Sequence, residues 1–398
     1  MELKLHQNIQ FIYELALAQK ELQALGVEFE PTTDMRGFIS KNSIDPKLLK
    51  RRSAYFESID GELADYYYIQ KYNQTGSVNQ YLTHWIYPYK GKFHPQMIRS
   101  LLNIISATPG DTILDPFIGS GTAAIEAQLL GINCIAIDIS PLCVLISKVK
   151  TESLEVLNQI LEYGHSIAPS RSQLPQSTLF AQNTIEDIQD ERVRNFYKMA
   201  EMIALSDESR RRKDFSKSYH LNIEKMTKSI IDFKTVTERF GLHLGKVKVE
   251  QGDARELSLP EECIDGIITS PPYSIALNYV SNDAHALKAL GYDLNSIKED
   301  FIGVRGSGFH KFKLYNSDMS KCFEEMYRVL KPNKYCVIVI GNVTYQNQEV
   351  NTTGMTIESC KKAGFEFLEK IDKIIFGLYN VMQKEYILFF RKPKEVAK

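Results

Sequence analysis

At 398 residues, of which 43% are apolar, the chain can bury a sizeable core, and its length suits one catalytic domain with additions. The net charge of −1 excludes a polycation, so any nucleic-acid contact must come from local basic patches. No run of about 18 apolar residues occurs, which argues against a transmembrane helix and a membrane partner.

Met1-Glu2-Leu3-Lys4 lacks the charged-then-apolar layout of a secretory signal. The cysteines, at 134, 143, 263, 322, 336 and 360, include no Cys-x-x-Cys pair and sit mostly in apolar runs. They read as buried free thiols, not as disulfides or a metal site. A cytoplasmic protein without a metal is the expectation. The oligomeric state is not legible.

In chain order, residues 9–25 predict a helix, because Ile9, Ile12, Leu15, Leu22 and Leu25 recur at helical spacing and Gly26 is placed to stop it. Residues 30–85 are mixed and rich in tyrosine, densest at Tyr66-Tyr67-Tyr68. A packing surface is a plainer reading of those rings than a platform for bases. Residues 1–84 are therefore expected to form a partly helical N-terminal extension.

A sharper pattern follows. Thr112-Ile113-Leu114 predicts a short buried strand, Gly119-Ser120-Gly121 a tight loop, Thr122 to Leu130 a helix, and Cys134 to Ile137 a second strand ending in Asp138. Strand, glycine loop, helix, strand is a βαβ unit and implies a parallel sheet. The alternation breaks over 150–246, where an irregular stretch at 168–177 precedes long polar helical segments. It resumes at Val247-Lys248-Val249, 264–269 and 335–340, with two late strands near 366–375 and 384–391. The expected fold is a doubly wound α/β domain formed by 85–149 and 247–398, with a helical insertion at 150–246.

Asp115-Pro116-Phe117-Ile118-Gly119-Ser120-Gly121-Thr122 links the first strand to its helix. Ligands of doubly wound sheets bind at the carboxyl ends of the strands, where glycines let the backbone approach. This loop lacks both the Gly-Lys-Ser/Thr ending of a phosphate loop and the G-x-G-x-x-G spacing of a dinucleotide site. An acid ahead of the glycines would repel a pyrophosphate but suits an aminoacyl group with its ammonium. Asp138, ending the next strand, is placed for ribose hydroxyls, and Asp253, after the third, for an adenine amino group. Three acids at three successive strand ends fit an adenosyl amino acid better than a dinucleotide.

The run 265–269 predicts a strand that leads into Ser270-Pro271-Pro272-Tyr273. Consecutive prolines fix φ and remove two amide donors while keeping their carbonyls as acceptors. A serine hydroxyl, a free carbonyl and an aromatic face suit an amino group on a planar ring. An isolated Pro-Pro-Tyr would read as an ordinary turn; this one follows an acid-glycine loop in the same sheet.

Together, D-P-F-I-G-S-G-T and T-S-P-P-Y resemble the amino-methyltransferases of DNA, the family acting on cytosine N4 or adenine N6. Tyr87-Pro88-Tyr89-Lys90-Gly91-Lys92-Phe93-His94-Pro95 resembles the segment of that family that closes the cofactor pocket. The resemblance spans roughly 85–150 and 247–395. It implies a Rossmann-like, mostly parallel sheet with an antiparallel last strand, and S-adenosylmethionine as cofactor. It implies Lys92, Phe93, Asp115, Pro116, Phe117, Gly119, Gly121, Thr122, Asp138 and Asp253 on the cofactor, and Ser270, Pro271, Pro272 and Tyr273 at the amine. Serine at the head of the tetrapeptide favours cytosine N4 over adenine N6. DNA is the implied partner, with a cognate restriction endonuclease as a further one. An RNA amino-methyltransferase is the alternative, and a non-catalytic nucleic-acid-binding relative the alternative of a different class.

Two basic runs remain, Lys50-Arg51-Arg52 and Arg210-Arg211-Arg212-Lys213, the latter beside Phe215, Lys217 and Tyr219. Basic residues interleaved with aromatics suit phosphates and bases, so the second run is the candidate nucleic-acid contact of the insertion.

Overall fold

The computed structural model describes residues 1–170, 183–272, 279–306, 308–345, 348–376 and 382–394. Strands are numbered along the chain. β1 (Glu2–Leu5), β2 (Phe29–Pro31), β3 (Gly37–Ser40), β4 (Phe56–Ile59) and β5 (Glu62–Leu63) form an antiparallel sheet in the order β2-β3-β1-β4-β5. In β1, Leu3 and Leu5 face the core while Glu2 and Lys4 stay exposed, the alternation of a one-sided strand. The extension is therefore an α+β unit, richer in strand than expected.

Its helix runs Ile12–Ala24, burying Leu17, Ala18 and Leu22, and Gly26 follows at φ 79°. It starts later than the apolar spacing suggests. Glu14 Oε2 accepts from the Gln10 and Phe11 amides at 2.9 and 3.0 Å and ends the helix there, which leaves Ile12 89% exposed and Ile9 buried ahead of it.

The second sheet contains β6 (Thr112–Asp115), β7 (Asn133–Asp138), β8 (Val247–Gln251), β9 (Gly266–Thr269) and β10 (Tyr335–Gly341). A small hairpin of β11 (Val343–Tyr345) and β12 (Gln348–Val350) precedes its last two strands, β13 (Glu366–Phe376) and β14 (Met382–Arg391). The order is β13-β14-β10-β9-β6-β7-β8. β6 to β10 are parallel, and β14 runs antiparallel to both β10 and β13. This is the expected doubly wound, mostly parallel sheet with its antiparallel last strand. Ile113, Leu114, Ile267, Ile268, Val337 and Ile338 are fully buried, as strands covered on both faces require. Strand order reverses between β6 and β9, and such a switch point opens a crevice above the carboxyl ends.

The insertion carries helices Leu157–Tyr163, Glu191–Arg211 and Phe215–Phe240. Asp190 and Asp214 cap the two long ones by accepting from the Arg192 and Lys217 amides. Phe196, Met199, Met226 and Ile230 share one core with Ile146 and Val149 of helix Pro141–Glu152, which follows β7. Most of the irregular stretch at 168–177 lies outside the described residues. All six cysteines are free, five buried and Cys263 half-buried. Among the described residues no helix is long and apolar enough to cross a membrane.

Candidate active site

A cavity of about 340 Å³ lies above the switch point. Its walls on the β6-β7-β8 side include Pro116, Phe117, Gly119 and Thr122 of the glycine loop, and the acids Asp138 and Asp253. Ser270 and Pro272 line it at the end of β9, and Lys92 and Phe93 from the upstream segment. The structure thus brings together residues drawn from three separate sequence motifs. Pro271 is buried beside them, and Tyr273 lies outside the described residues.

Asp115 ends β6 with its side chain fully buried. Its Oδ1 accepts from Thr269 Oγ1 at 2.6 Å and from the Phe117 amide at 3.1 Å. Its Oδ2 is buried without a hydrogen-bond partner among the described residues. Burial, then the nearby Asp138 carboxylate, push its carboxyl up to about 7 against the pull of those two donors.

The glycine loop is held in shape from several directions. Asp138 Oδ2 accepts from the Gly119 amide and Oδ1 from the Ser140 amide, each at 2.9 Å. Burial still raises the Asp138 carboxyl to about 6. The buried Lys150 Nζ donates to the Ser120 carbonyl at 2.7 Å. At Gly119 (φ 50°) a Cβ would sit 3.3 Å from the Tyr89 ring, and at Gly121 (φ 79°) only 3.2 Å from Ser147 Cα. Gly119 thus keeps the backbone open on the cavity wall, while Gly121 lets the loop pack closely on helix Pro141–Glu152.

Lys92 Nζ donates to the Tyr87 carbonyl at 2.6 Å and the His84 carbonyl at 3.2 Å, and burial lowers it to about 8. The ammonium therefore fastens its own loop across the cavity. Asp253 is gripped by Arg255, whose Nε lies 2.9 Å from both carboxylate oxygens. Burial opposes its ionisation, but the guanidinium outweighs that and holds the carboxyl below its usual range.

Sequence reasoning missed several contributors. Tyr315, from helix Gly308–Val329, donates to the Pro272 carbonyl at 2.9 Å and so fixes the Ser-Pro-Pro turn. Asp283 lines the cavity and accepts from Tyr87 Oη at 3.0 Å and Arg210 Nη2 at 3.3 Å. Lys373 and Glu385 line its far end. Each is a single residue without local spacing, so only Thr269, adjoining the tetrapeptide, had a sequence signal.

The basic runs are engaged within the chain. Lys50 pairs with Glu62, Arg51 lies 3.0 Å from Asp65, and Arg52 is buried, donating to Asn103 Oδ1 at 2.8 Å. Arg210 pairs with Asp283, while Arg211 and Lys213 both pair with Asp207 at 2.9 Å. Arg212 ends its helix in the left-handed region at φ 53°.

Residues 86–296, more than half of the chain, match a family model described as an RMKL-like methyltransferase domain, and residues 264–398 match one described as DNA methylase. The chain belongs to the RMKL-like, S-adenosylmethionine-dependent methyltransferase family, and its last third carries the match to DNA methylases. The Type II methyltransferase M.BsoBI of Geobacillus stearothermophilus is 25% identical over 280 residues, which is 56% of this chain and 55% of that protein. The match thus spans about half of that relative's length. The Type II methyltransferase M.MvaI of Kocuria varians is 23% identical over 371 residues, covering 71% of this chain and 81% of that protein. A tRNA (guanine(10)-N2)-dimethyltransferase of Methanothermobacter thermautotrophicus is 41% identical over 51 residues, 13% of this chain and 15% of that protein.

The methyltransferase cavity fits the family's cofactor on its own chemistry. It combines a glycine loop, the strand-end acids Asp138 and Asp253 and apolar walls at Ile139, Ala254 and Leu287, with the unpartnered buried oxygen of Asp115 at the root of the same loop.

Proposed function

We propose that this chain methylates the exocyclic amine of a base in DNA, with cytosine N4 favoured over adenine N6. The observation that carries the reading is one cavity lined both by the acid-glycine loop and by the Ser270-Pro272 turn. When bound, S-adenosylmethionine supplies an electrophilic methyl group.

The chain's residues do the rest. Asp115 faces the ammonium of the cofactor, Asp138 the ribose hydroxyls and Asp253 the adenine amine, with Gly119 and Gly121 allowing close approach. Ser270 and the Pro271 carbonyl hold the hydrogens of the target amine and turn its lone pair out of conjugation with the ring. Tyr315 keeps that turn rigid, and Tyr273 stacks on the base. Orientation supplies most of the rate. A base inside a duplex is out of reach, so it must be flipped out or already unpaired. The insertion contacts the phosphate backbone through Arg210–Lys213, and a cognate restriction endonuclease is the further partner this reading allows.

The match to a tRNA methyltransferase supports a second reading, in which RNA is the acceptor. One assay separates them. The protein is incubated with tritiated S-adenosylmethionine and either PCR-amplified DNA or transcribed RNA, and the nucleosides are then separated. Label in N4-methyldeoxycytidine supports the first reading. Label in N6-methyldeoxyadenosine moves it to adenine, and label only in RNA replaces it.

A further inference from the structure

The cavity does not stop at the Ser-Pro-Pro turn. Beyond β9 it continues over β10, β14 and β13, where Phe93, Val339, Lys373 and Glu385 line it. Sheet register explains why these residues meet. Val339 of β10 pairs with Ile387 of β14, and both lie in the same core cluster as Ile268. Two residues further up β14, Glu385 opposes Gly341 on one side and Lys373 of β13 on the other. Side chains two apart share a face. Ser270, Val339, Glu385 and Lys373 therefore stand on one side of the sheet, at its carboxyl end.

Lys373 and Glu385 form an ion pair, with side chains 11% and 16% exposed. Each keeps capacity for a ligand, because an ammonium has three hydrogens and a carboxylate about four acceptor sites. A largely buried pair is a weak source of stability, so its position on a cavity wall calls for another explanation. The neighbouring His94 does not compete as a cation: burial, then the Lys373 charge, lower its imidazole to about 4.

We propose that Lys373 reads the target base, donating to the unprotonated ring nitrogen beside its amine, and that Glu385 is a positioning residue that aims the ammonium. The inference rests on the proposed amino-methyltransferase reading and deepens it. The glycine loop and the acids Asp138 and Asp253 occupy the β6-β7-β8 half, so a ring that presents its amine to Ser270 lies over the β9-β10-β14 half. Phe93 and Val339 give it apolar walls. Cytosine and adenine both carry an acceptor nitrogen next to the amine on their pairing edge. Guanine and thymine carry an N–H there, which an ammonium donor leaves unpaired.

The test uses the full chain with S-adenosylhomocysteine and, one at a time, each of the four 2′-deoxynucleosides at millimolar concentration. Saturation-transfer NMR reports which ligands bind. Signal is expected for deoxycytidine or deoxyadenosine and not for deoxyguanosine or thymidine. Lys373→Met should weaken that nucleoside about ten-fold or more, since a charged donor is lost, while S-adenosylhomocysteine binds as before. Lys373→Arg should retain most of the signal, and Glu385→Gln should show an intermediate loss. A merely structural ion pair would lower Tm in Lys373→Met without selecting among bases. The proposal is overturned if Lys373→Met leaves the nucleoside signal unchanged, or if deoxyguanosine binds and depends on Glu385. It is also overturned if the folded variant loses S-adenosylhomocysteine, which would assign the pair to the cofactor. Silence from all four nucleosides beside a clear S-adenosylhomocysteine signal removes this base subsite, and the methylation assay above still decides the function separately.

Discussion

Thr269 Oγ1 lies 2.6 Å from Asp115 Oδ1, joining the ends of β9 and β6 at the position where strand order reverses. The two residues are 154 positions apart and belong to different motifs. One hydroxyl thus ties the strand that carries the glycine loop to the strand that carries the Ser-Pro-Pro turn. It also occupies only one oxygen of Asp115, and the second is buried without a partner among the described residues.

Thr269→Val should weaken S-adenosylmethionine binding about ten-fold, because a buried carboxylate loses a donor. Thr269→Ser, which keeps the hydroxyl, should bind within about two-fold of the parent by the same argument. Calorimetric titration of the three proteins checks this. Equal affinity in all three would show that the bond does not organise Asp115.

Cofactor affinity should fall on acidification through pH 7. Asp115 sits near 7 because of burial and must lose its proton to face an ammonium. Well below that value, each pH unit should weaken binding about ten-fold. Asp115→Asn should bind weakly and lose this dependence. Folding shows the opposite trend. A carboxyl raised from its unfolded value binds its proton more tightly in the native state, so this stabilisation is present below about pH 4 and is lost as pH rises through about 7. Asp138, raised to about 6, adds to it. The gain in Tm on adding cofactor should therefore be larger at pH 8 than at pH 6.

The parts of the site legible in the sequence were those with local signatures. Gly119-Ser120-Gly121 after an apolar strand, and Ser270-Pro271-Pro272 after another, fix their own backbones within a few residues. The βαβ order then brings both to the carboxyl ends of neighbouring central strands. The N-terminal sheet was harder to see, because its strands span only 2 to 4 residues and carry too little alternation to stand out. Tyr315, Asp283, Lys373 and Glu385 reach the cavity only through tertiary packing. Arg211 is a different case: Asp207 lies one helical turn before it, so spacing alone signals their ion pair.

Tyr315→Phe should slow methyl transfer several-fold and leave cofactor affinity unchanged. It removes the donor to the Pro272 carbonyl, a contact typically worth about 1 kcal/mol. Ser270→Ala should cost more, about 1–3 kcal/mol in kcat/KM, because in the proposed mechanism its hydroxyl holds the amine itself. A cofactor Kd that rises in step with the loss of rate would show that the turn serves the cofactor.

Gly121→Ala should destabilise the fold by about 1–3 kcal/mol, combining a left-handed φ with a clash against backbone. At φ 79° its Cβ would lie 3.2 Å from Ser147 Cα, which cannot swing aside. Gly119→Ala meets the Tyr89 ring tightly and backbone only at the ordinary contact distance of 3.8 Å from the Phe117 oxygen, so it should cost less stability and more cofactor affinity. Thermal melts with and without S-adenosylmethionine separate the two effects.

The proposed phosphate contact of the insertion is checked by salt dependence. Arg211 and Lys213 are already paired with Asp207, so a phosphate must share them with that carboxylate. Their side chains are 58% and 49% exposed, although Asp207 itself is buried, so each cation keeps donors directed at solvent. A phosphate would take those remaining donors without displacing Asp207. Each contact releases counterions, so the variant Arg211→Ala with Arg212→Asn should flatten the slope of log affinity against log salt by about one to two units. Asparagine is chosen at 212 because that residue sits at φ 53°, where it is tolerated better than alanine. Binding should weaken equally on all DNA sequences, since phosphate contacts carry no sequence information. A double variant with the parent's slope and affinity would make the run a solvated face held by Asp207. The phosphate contacts would then have to lie on another surface, with the tyrosine-rich residues 30–85 the first to test.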